Sequence, residues 1–162
     1  MAQDEKTGDS MQALKSLQSL IDRSAASAGP AAADSLAYGP RQMSAAEFVE
    51  FWKSVRLVAM ATVGEDARPH IAPVHARLDG TRLYLVIYEN TLRRRDIASN
   101  PQVAFTTWRA DGAAAIVYGV ARELPDTLRP ARPAQSGKAR QVVEIEVRLT
   151  RIYAMRPPDR PA

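Results

Sequence analysis

The stretch from Val55 to Met155 most narrowly limits what this chain can fold into. It divides into apolar, β-compatible runs separated by turn signals, with one short helical segment among them. Residues 56–63 (RLVAMATV) form the first run, and residues 64–67 a turn. Residues 69–78 (PHIAPVHARL) form the second; Pro73 within it predicts a bulge or a sheet edge, because proline donates nothing to a ladder. Asp79-Gly80 is a hairpin signal, and residues 82–88 (RLYLVIY) follow as a third strand. Residues 91–99 predict a short helix ended by Asn100-Pro101. Residues 102–108 and 113–123 predict two strands around an Asp111-Gly112 hairpin. Residues 141–155 alternate apolar and polar side chains, as a half-buried strand does. Six strands, two hairpin turns and one internal helix predict a mainly β fold, an antiparallel barrel or sandwich, and argue against a doubly wound sheet.

Ahead of the strands, Ser44 and Glu47 have the spacing of a capping box. Phe48, Phe51 and Trp52 then share one face of a helix running to about Ser54, a stripe that reads as core. Residues 1–43 read as an N-terminal extension. Met11, Leu14, Leu17, Leu20 and Ile21 predict a short amphipathic helix over residues 10–24. Ala25 to Pro40, rich in Ala, Gly, Pro and Ser, reads as a flexible linker. On this reading residues 1–43 are loosely docked and dispensable for folding, residues 44–157 are the domain, and residues 158–162 are a tail. Residues 125–140, with Arg129, Arg132, Lys138 and Arg140, predict a basic irregular loop.

Composition narrows the chemistry. There are no cysteines, which excludes disulfides, a thiol nucleophile, a Cys-type zinc site and Cys-ligated iron–sulfur clusters. His70 and His75, five apart, face opposite ways on a regular strand, so no shared metal is expected. No apolar run reaches the roughly 18 residues that span a bilayer. The opening MAQDEKTGDS has acids where a secretory signal is basic and then apolar, so a cytoplasmic location without membrane attachment is expected. The net charge of +4 is uneven: residues 1–43 hold four basic and five acidic groups, and residues 44–162 hold 18 and 13. A basic domain expects an anionic partner, whether a phosphorylated small molecule, a nucleic acid or an anionic surface.

No Gly-rich phosphate loop, GxSxG elbow or HExxH motif occurs, so catalytic residues stay unassigned. The best anion-binding feature is Thr91-Leu92-Arg93-Arg94-Arg95-Asp96-Ile97. Thr91 is placed to cap a helix whose first turn offers free N–H groups, and Arg93 lies in that turn, able to fork onto phosphate oxygens. The alternative is a solvated face on which Arg93 pairs with Asp96 at i,i+3. A second feature is residues 68–77, where Pro73, His75 and Arg77 share one face of a regular strand. The alternative for Arg77 is a surface charge before a turn.

The stretch from Ser44 to Met155 resembles the FMN-binding split-barrel proteins, the group of pyridoxamine 5′-phosphate oxidases and related flavin or deazaflavin proteins. The resemblance rests on AAEFVEFWKSVRLVAMATV, RPHIAPVHARLDGTRLYLVIYENT, LRRRDIASNPQVAFTTW, IVYGVAREL with its central glycine, and VVEIEVRLTRIYAM. It implies a six-stranded antiparallel split β-barrel with a few short helices, working as a homodimer with the cofactor at the subunit interface. It implies that the strand of Pro73, Val74, His75 and Arg77 runs along the flavin, with Arg77 touching it. It implies main-chain contacts from Val86 and Ile87, and a phosphate held by Thr91 and Arg93. Leu92 stands where oxidase members often have a second basic residue, Ala72 where they have Arg, and His75 where many relatives have a bulky aromatic. Their substrate-binding residues have no counterpart in the C-terminal stretch, so the small-molecule substrate is expected to differ from pyridoxamine phosphate.

The expected function is thus an FMN-dependent oxidoreductase, with a reductase using the deazaflavin F420 as the second choice. A small basic barrel binding nucleic acid is the alternative from another class, but it calls for aromatic platforms and only 6% of residues are aromatic. A third reading is a cofactor carrier or heme-handling protein without turnover.

Overall fold

Alternation of apolar and polar side chains becomes, in the folded chain, a curled sheet with one face turned inward. A computed structural model describes residues 2–30, 38–131 and 140–158. Its helices are α1 (Ala2–Ala26), α2 (Tyr38–Arg41), α3 (Ala45–Ser54) and α4 (Leu92–Ser99). Its strands are β1 (Val58–Val63), β2 (Pro69–Val74), β3 (Arg77–Asp79), β4 (Arg82–Tyr88), β5 (Gln102–Trp108), β6 (Ala114–Glu123), β7 (Arg129–Pro130) and β8 (Gln141–Met155). The strand order is β2-β1-β5-β6-β8-β4-β3, with β7 beside β8, and every pairing is antiparallel. Met60, Leu83, Phe105, Val117, Ile145 and Ile152 turn inward and are fully buried.

The order has one consequence for the site. The two edge strands, β2 and β3, are consecutive in the chain and joined by only His75 and Ala76. The sheet must therefore curl until its edges lie end to end, leaving a seam instead of a closed ladder. The mainly β antiparallel barrel expected from the sequence is thus present. Pro73 does lie on an edge strand. The single strand expected over residues 69–78 is in fact two, broken at His75–Ala76. Trp52 Nε1 donates to the Ala76 carbonyl at 2.9 Å, so that carbonyl serves a helix instead of a ladder. The hairpin after β3 turns on Gly80 and Thr81, one residue later than expected, and Gly80 takes φ +54°.

α3 begins as the sequence predicts. Ser44 accepts from the Glu47 N–H, and Glu47 accepts from the Ser44 N–H. The N-terminal segment corrects the expectation of a loosely docked extension. α1 is longer than residues 10–24, and Leu17, Leu20 and Ile21 are part of the core cluster. The Ile152 N–H on β8 donates to Ser24 Oγ at 3.0 Å, and the Ala45 N–H at the start of α3 donates to Gln18 Oε1 at 2.7 Å. α1 thus satisfies main-chain donors that the domain alone leaves open. The boundary near Met43 is also softer than expected, because Gln42 bridges to Met155 and Arg41 donates to the Arg156 carbonyl. The stretches 31–37 of the expected linker, 132–139 of the basic loop and 159–162 of the tail lie outside the described residues.

Gly119 sits where the β6–β8 register shifts. A Cβ there would lie 2.5 Å from Val147 Cγ1 and 2.8 Å from the Arg148 carbonyl oxygen. Main chain cannot yield as a side-chain tip can. Gly119→Ala is therefore expected to destabilise the protein by about 1–3 kcal/mol, read from denaturant unfolding. An unchanged midpoint would show that β8 moves aside freely.

Candidate functional site

A groove of about 1200 Å³ opens along the seam. One wall is Pro73 to Leu78, the chain that crosses between the sheet edges. Adjoining it are Tyr84 to Tyr88 of β4, the strand that pairs with β3, with Val142 and Glu144 of β8. Trp52, Lys53 and Arg56, from the end of α3 and just beyond, line the groove, as do Arg93 and Arg129. Most of these walls are apolar. Five cationic side chains, Lys53, Arg56, Arg77, Arg93 and Arg129, line it against one carboxylate, Glu144. Such a balance favours an anionic occupant.

The cations are not equivalent. Lys53 pairs with Glu50, Arg77 with Asp79, and Arg129 with Glu144. Arg77 also stacks over the Tyr84 ring at 4.9 Å, so it is both a groove residue and the surface charge of the alternative reading. Arg93 is different. Its Nε is the one buried side-chain polar atom among the described residues without a hydrogen-bond partner. A buried donor left open is costly unless something supplies an acceptor.

Local structure explains why Arg93 stays open. Thr91 caps α4, accepting from the Arg94 N–H at 3.4 Å and donating to the Tyr88 carbonyl at 3.0 Å. Arg94 is consumed by Glu123, with Nε and Nη2 at 2.7 and 2.9 Å from its carboxylate. Arg95 is exposed. The pairing of Arg93 with Asp96, weighed from the sequence, does not form. Asp96 turns into the core, 4% exposed, and Oδ2 accepts from Thr62 Oγ1 at 2.5 Å and lies 2.8 Å from His70 Nδ1. Burial pushes the Asp96 carboxyl up, but the bonds from Thr62 and His70 outweigh it and hold it below the usual range.

Of the residues singled out from sequence, Pro73, Val74, His75, Arg77, Val86, Ile87 and Arg93 line this groove. Thr91 does not line it, its hydroxyl being spent on the cap. Sequence reasoning did not find the wall from α3, nor Tyr84, Tyr88 and Glu144. It also missed the Thr62–Asp96–His70 cluster, although Thr62 and His70 face each other across the β1–β2 hairpin.

A second buried carboxylate, Glu146, lies on β8. It takes Arg122 and Arg82 at 2.8 Å each and the Tyr84 hydroxyl at 3.1 Å. The Arg122 bond chiefly holds its carboxyl low, against the upward push of burial. Both Asp96 and Glu146 thus titrate lower folded than unfolded. Their contribution is full above the ordinary carboxylate range of about 4 and is lost as pH falls through the lowered values. Thermal melts should be level near neutrality and fall steeply on acidification below about pH 4. Glu146→Gln should flatten that acid limb; an identical limb would remove Glu146 from the account.

Among the described residues no helix is long and apolar enough to cross a membrane. No curated protein matches the sequence. Solved structures do share the fold. A conserved hypothetical protein from Mycobacterium tuberculosis superposes with a TM-score of 0.62 at 19% identity, covering 76% of this chain and 92% of its own. A FAD-binding protein from Mesorhizobium loti gives 0.53 at 17%, covering 69% and 94%. A heme storage protein from Vibrio cholerae gives 0.53 at 12%, covering 68% and 93%. At these identities the likeness is one of fold. The pyridoxamine 5′-phosphate oxidase family model, in contrast, matches residues 44–156, from the capping serine of α3 to the residue after β8. The chain belongs to that pyridoxamine 5′-phosphate oxidase family.

Proposed function

We propose that this protein is an FMN-dependent oxidoreductase acting on a small molecule other than pyridoxamine phosphate. The observation that carries the reading is the buried, unpartnered Nε of Arg93 at the capped start of α4, beside a groove of flavin-holding size. A phosphate there meets a guanidinium and the free N–H groups of a helix start. Pro73 and Val86 offer exposed apolar side chains to the ring system, and Val74, His75 and Ile87 offer main chain. When bound, FMN supplies the hydride chemistry, while the chain supplies orientation and shelter from water. Arg77, stacked on Tyr84 and paired with Asp79 at the surface, adds positive charge to the groove.

The groove holds more positive charge than one phosphate needs. This favours, as a second reading, a deazaflavin such as F420 with further anionic groups near Lys53 and Arg56. The test is the spectrum of the purified protein and the mass of the cofactor extracted from it. A flavin spectrum and the FMN mass support the first reading, and a deazaflavin mass the second. A Soret band, or a colourless protein that takes up neither FMN nor F420 at micromolar concentration, overturns both.

We also propose a homodimer. The outer face of β2, β1 and β5 exposes Ile71 and Trp108, at 73% and 68%, around an apolar hollow of about 280 Å³. Pro73 lines both this hollow and the groove, so a second copy seated here would approach the cofactor. Light scattering at micromolar concentration should give roughly twice the 17.7 kDa chain mass, as expected for an obligate interface of upwards of ~2,000 Å². A monomer mass with cofactor bound would sink the dimer.

A further inference from the structure

We infer that His70, acting through Asp96, is a positioning residue for the anion site at Arg93. The inference rests on the reading of Arg93 as the phosphate anchor.

α4 is eight residues long and poor in apolar anchors. Ile97 is its one buried apolar side chain, and Leu92 is half exposed. A short helix held by a single apolar contact can roll about that contact, because its own hydrogen bonds fix its shape and not its orientation. Thr91 and Arg94 tie the start of α4 to the Tyr88 and Glu89 carbonyls just before it, and two polar ties reach from the helix to other strands. The first, Arg94 with Glu123, lies at the surface, where water competes for both partners. The second is internal. Asp96 reaches from α4 to Thr62 on β1 and His70 on β2, residues directly opposite each other in the hairpin register.

Asp96 stands one turn beyond Arg93, about 60° away around the helix axis, so the buried tie and the open guanidinium share a side of α4. Fixing Asp96 therefore fixes the direction in which Arg93 leaves the helix. Space around the tie is tight. A Cβ on Gly64 would lie 3.3 Å from Asp96 Oδ1 and 3.4 Å from His70 Cε1. The imidazole meets the carboxylate through Nδ1 at 2.8 Å, with about a third of its side chain reaching solvent. His70 does not line the groove, so its influence passes through α4.

The experiment uses the full chain and has two arms. The first needs no ligand and follows the Arg93 Nε–H by nitrogen-15 NMR. That proton should exchange slowly in the wild type and in His70→Gln, which keeps a donor toward Asp96. It should exchange at least tenfold faster in His70→Ala. Equal exchange in wild type and His70→Ala overturns the inference. Thr62→Val removes the other donor and is read the same way should His70→Ala fold poorly. The second arm titrates FMN and riboflavin, which lacks the phosphate. His70→Ala should weaken FMN binding five- to tenfold, leave riboflavin unchanged, and add nothing once Arg93 is alanine. Additive losses in the double variant, or an equal loss of riboflavin, overturn it. Wild type binding riboflavin as tightly as FMN removes the phosphate reading alone, and the exchange arm then decides the positioning role.

Discussion

A chain beginning at Tyr38, and so lacking α1, is expected to lose most of its folding free energy. Leu17, Leu20 and Ile21 are almost wholly buried against β8 and α3. Each contributes about 1.5–3 kcal/mol by leaving water, an upper figure because the unfolded chain already hides part of its surface. Removing α1 also takes Ser24 from the Ile152 N–H, which water then meets, costing about 0.5–1.5 kcal/mol more. Against a typical total of about 5–15 kcal/mol, this loss is most of what holds the domain together. The melting temperature should fall by roughly 10–25 °C, if the shortened chain stays folded at all. Ile21→Ala in the full chain should cost about 2–5 kcal/mol by itself. A shortened chain that melts within a few degrees of the whole would show that α1 rests on the barrel without stabilising it.

Arg93→Ala is expected to weaken FMN binding tenfold to a hundredfold, the loss of about 1.5–3 kcal/mol from a charge-assisted contact. The helix-start N–H groups remain, so binding should persist at reduced strength. Riboflavin affinity should not change. The free protein should also keep its melting temperature or gain a little, because the substitution removes a buried donor that nothing in the chain satisfies. That opposite movement of affinity and stability separates a ligand-binding arginine from a structural one. Arg95→Ala, at an exposed position, is the control and should change affinity less than twofold. If Arg95→Ala weakens FMN as much as Arg93→Ala, the cluster acts as a diffuse field and Arg93 has no special place.

What could be read in the sequence was what local rules decide. The Ser44–Glu47 box, the Thr91 cap and the strands 82–88 and 102–108 depend on neighbours within a few residues, and the folded chain has them there. What could not be read was a choice among distant partners. The stripe of Leu17, Leu20 and Ile21 was visible, but the surface it covers is formed largely by β8, more than a hundred residues on. Asp96 offered Arg93 a local partner at i+3, yet a buried carboxylate gains more from two directed donors than from one solvated cation. The break at His75–Ala76 depends on an indole more than twenty residues earlier, and no alternation pattern in residues 69–78 records it. Pro73 to Arg77 and Val86–Ile87 were placed on one site through resemblance; the β3–β4 hairpin sets Arg77 beside Tyr84, and the break at His75–Ala76 brings Pro73 into the same groove.

The two-residue crossing at His75–Ala76 also bears on the order in which the molecule assembles. β2 can pair with β1, and β3 with β4, as local hairpins, but the second hairpin joins the rest of the sheet only when β4 finds β8, as Tyr84 and Glu146 do across 62 residues. Closure over so long a loop is entropically late, so the seam is expected to form after the rate-limiting barrier of folding. Contacts made there slow unfolding while leaving the folding rate nearly untouched. A molecule lodged across the seam therefore acts as a latch on the lifetime of the native state, and the loaded protein should outlast the empty one by more than their equilibrium stabilities at low ligand concentration suggest.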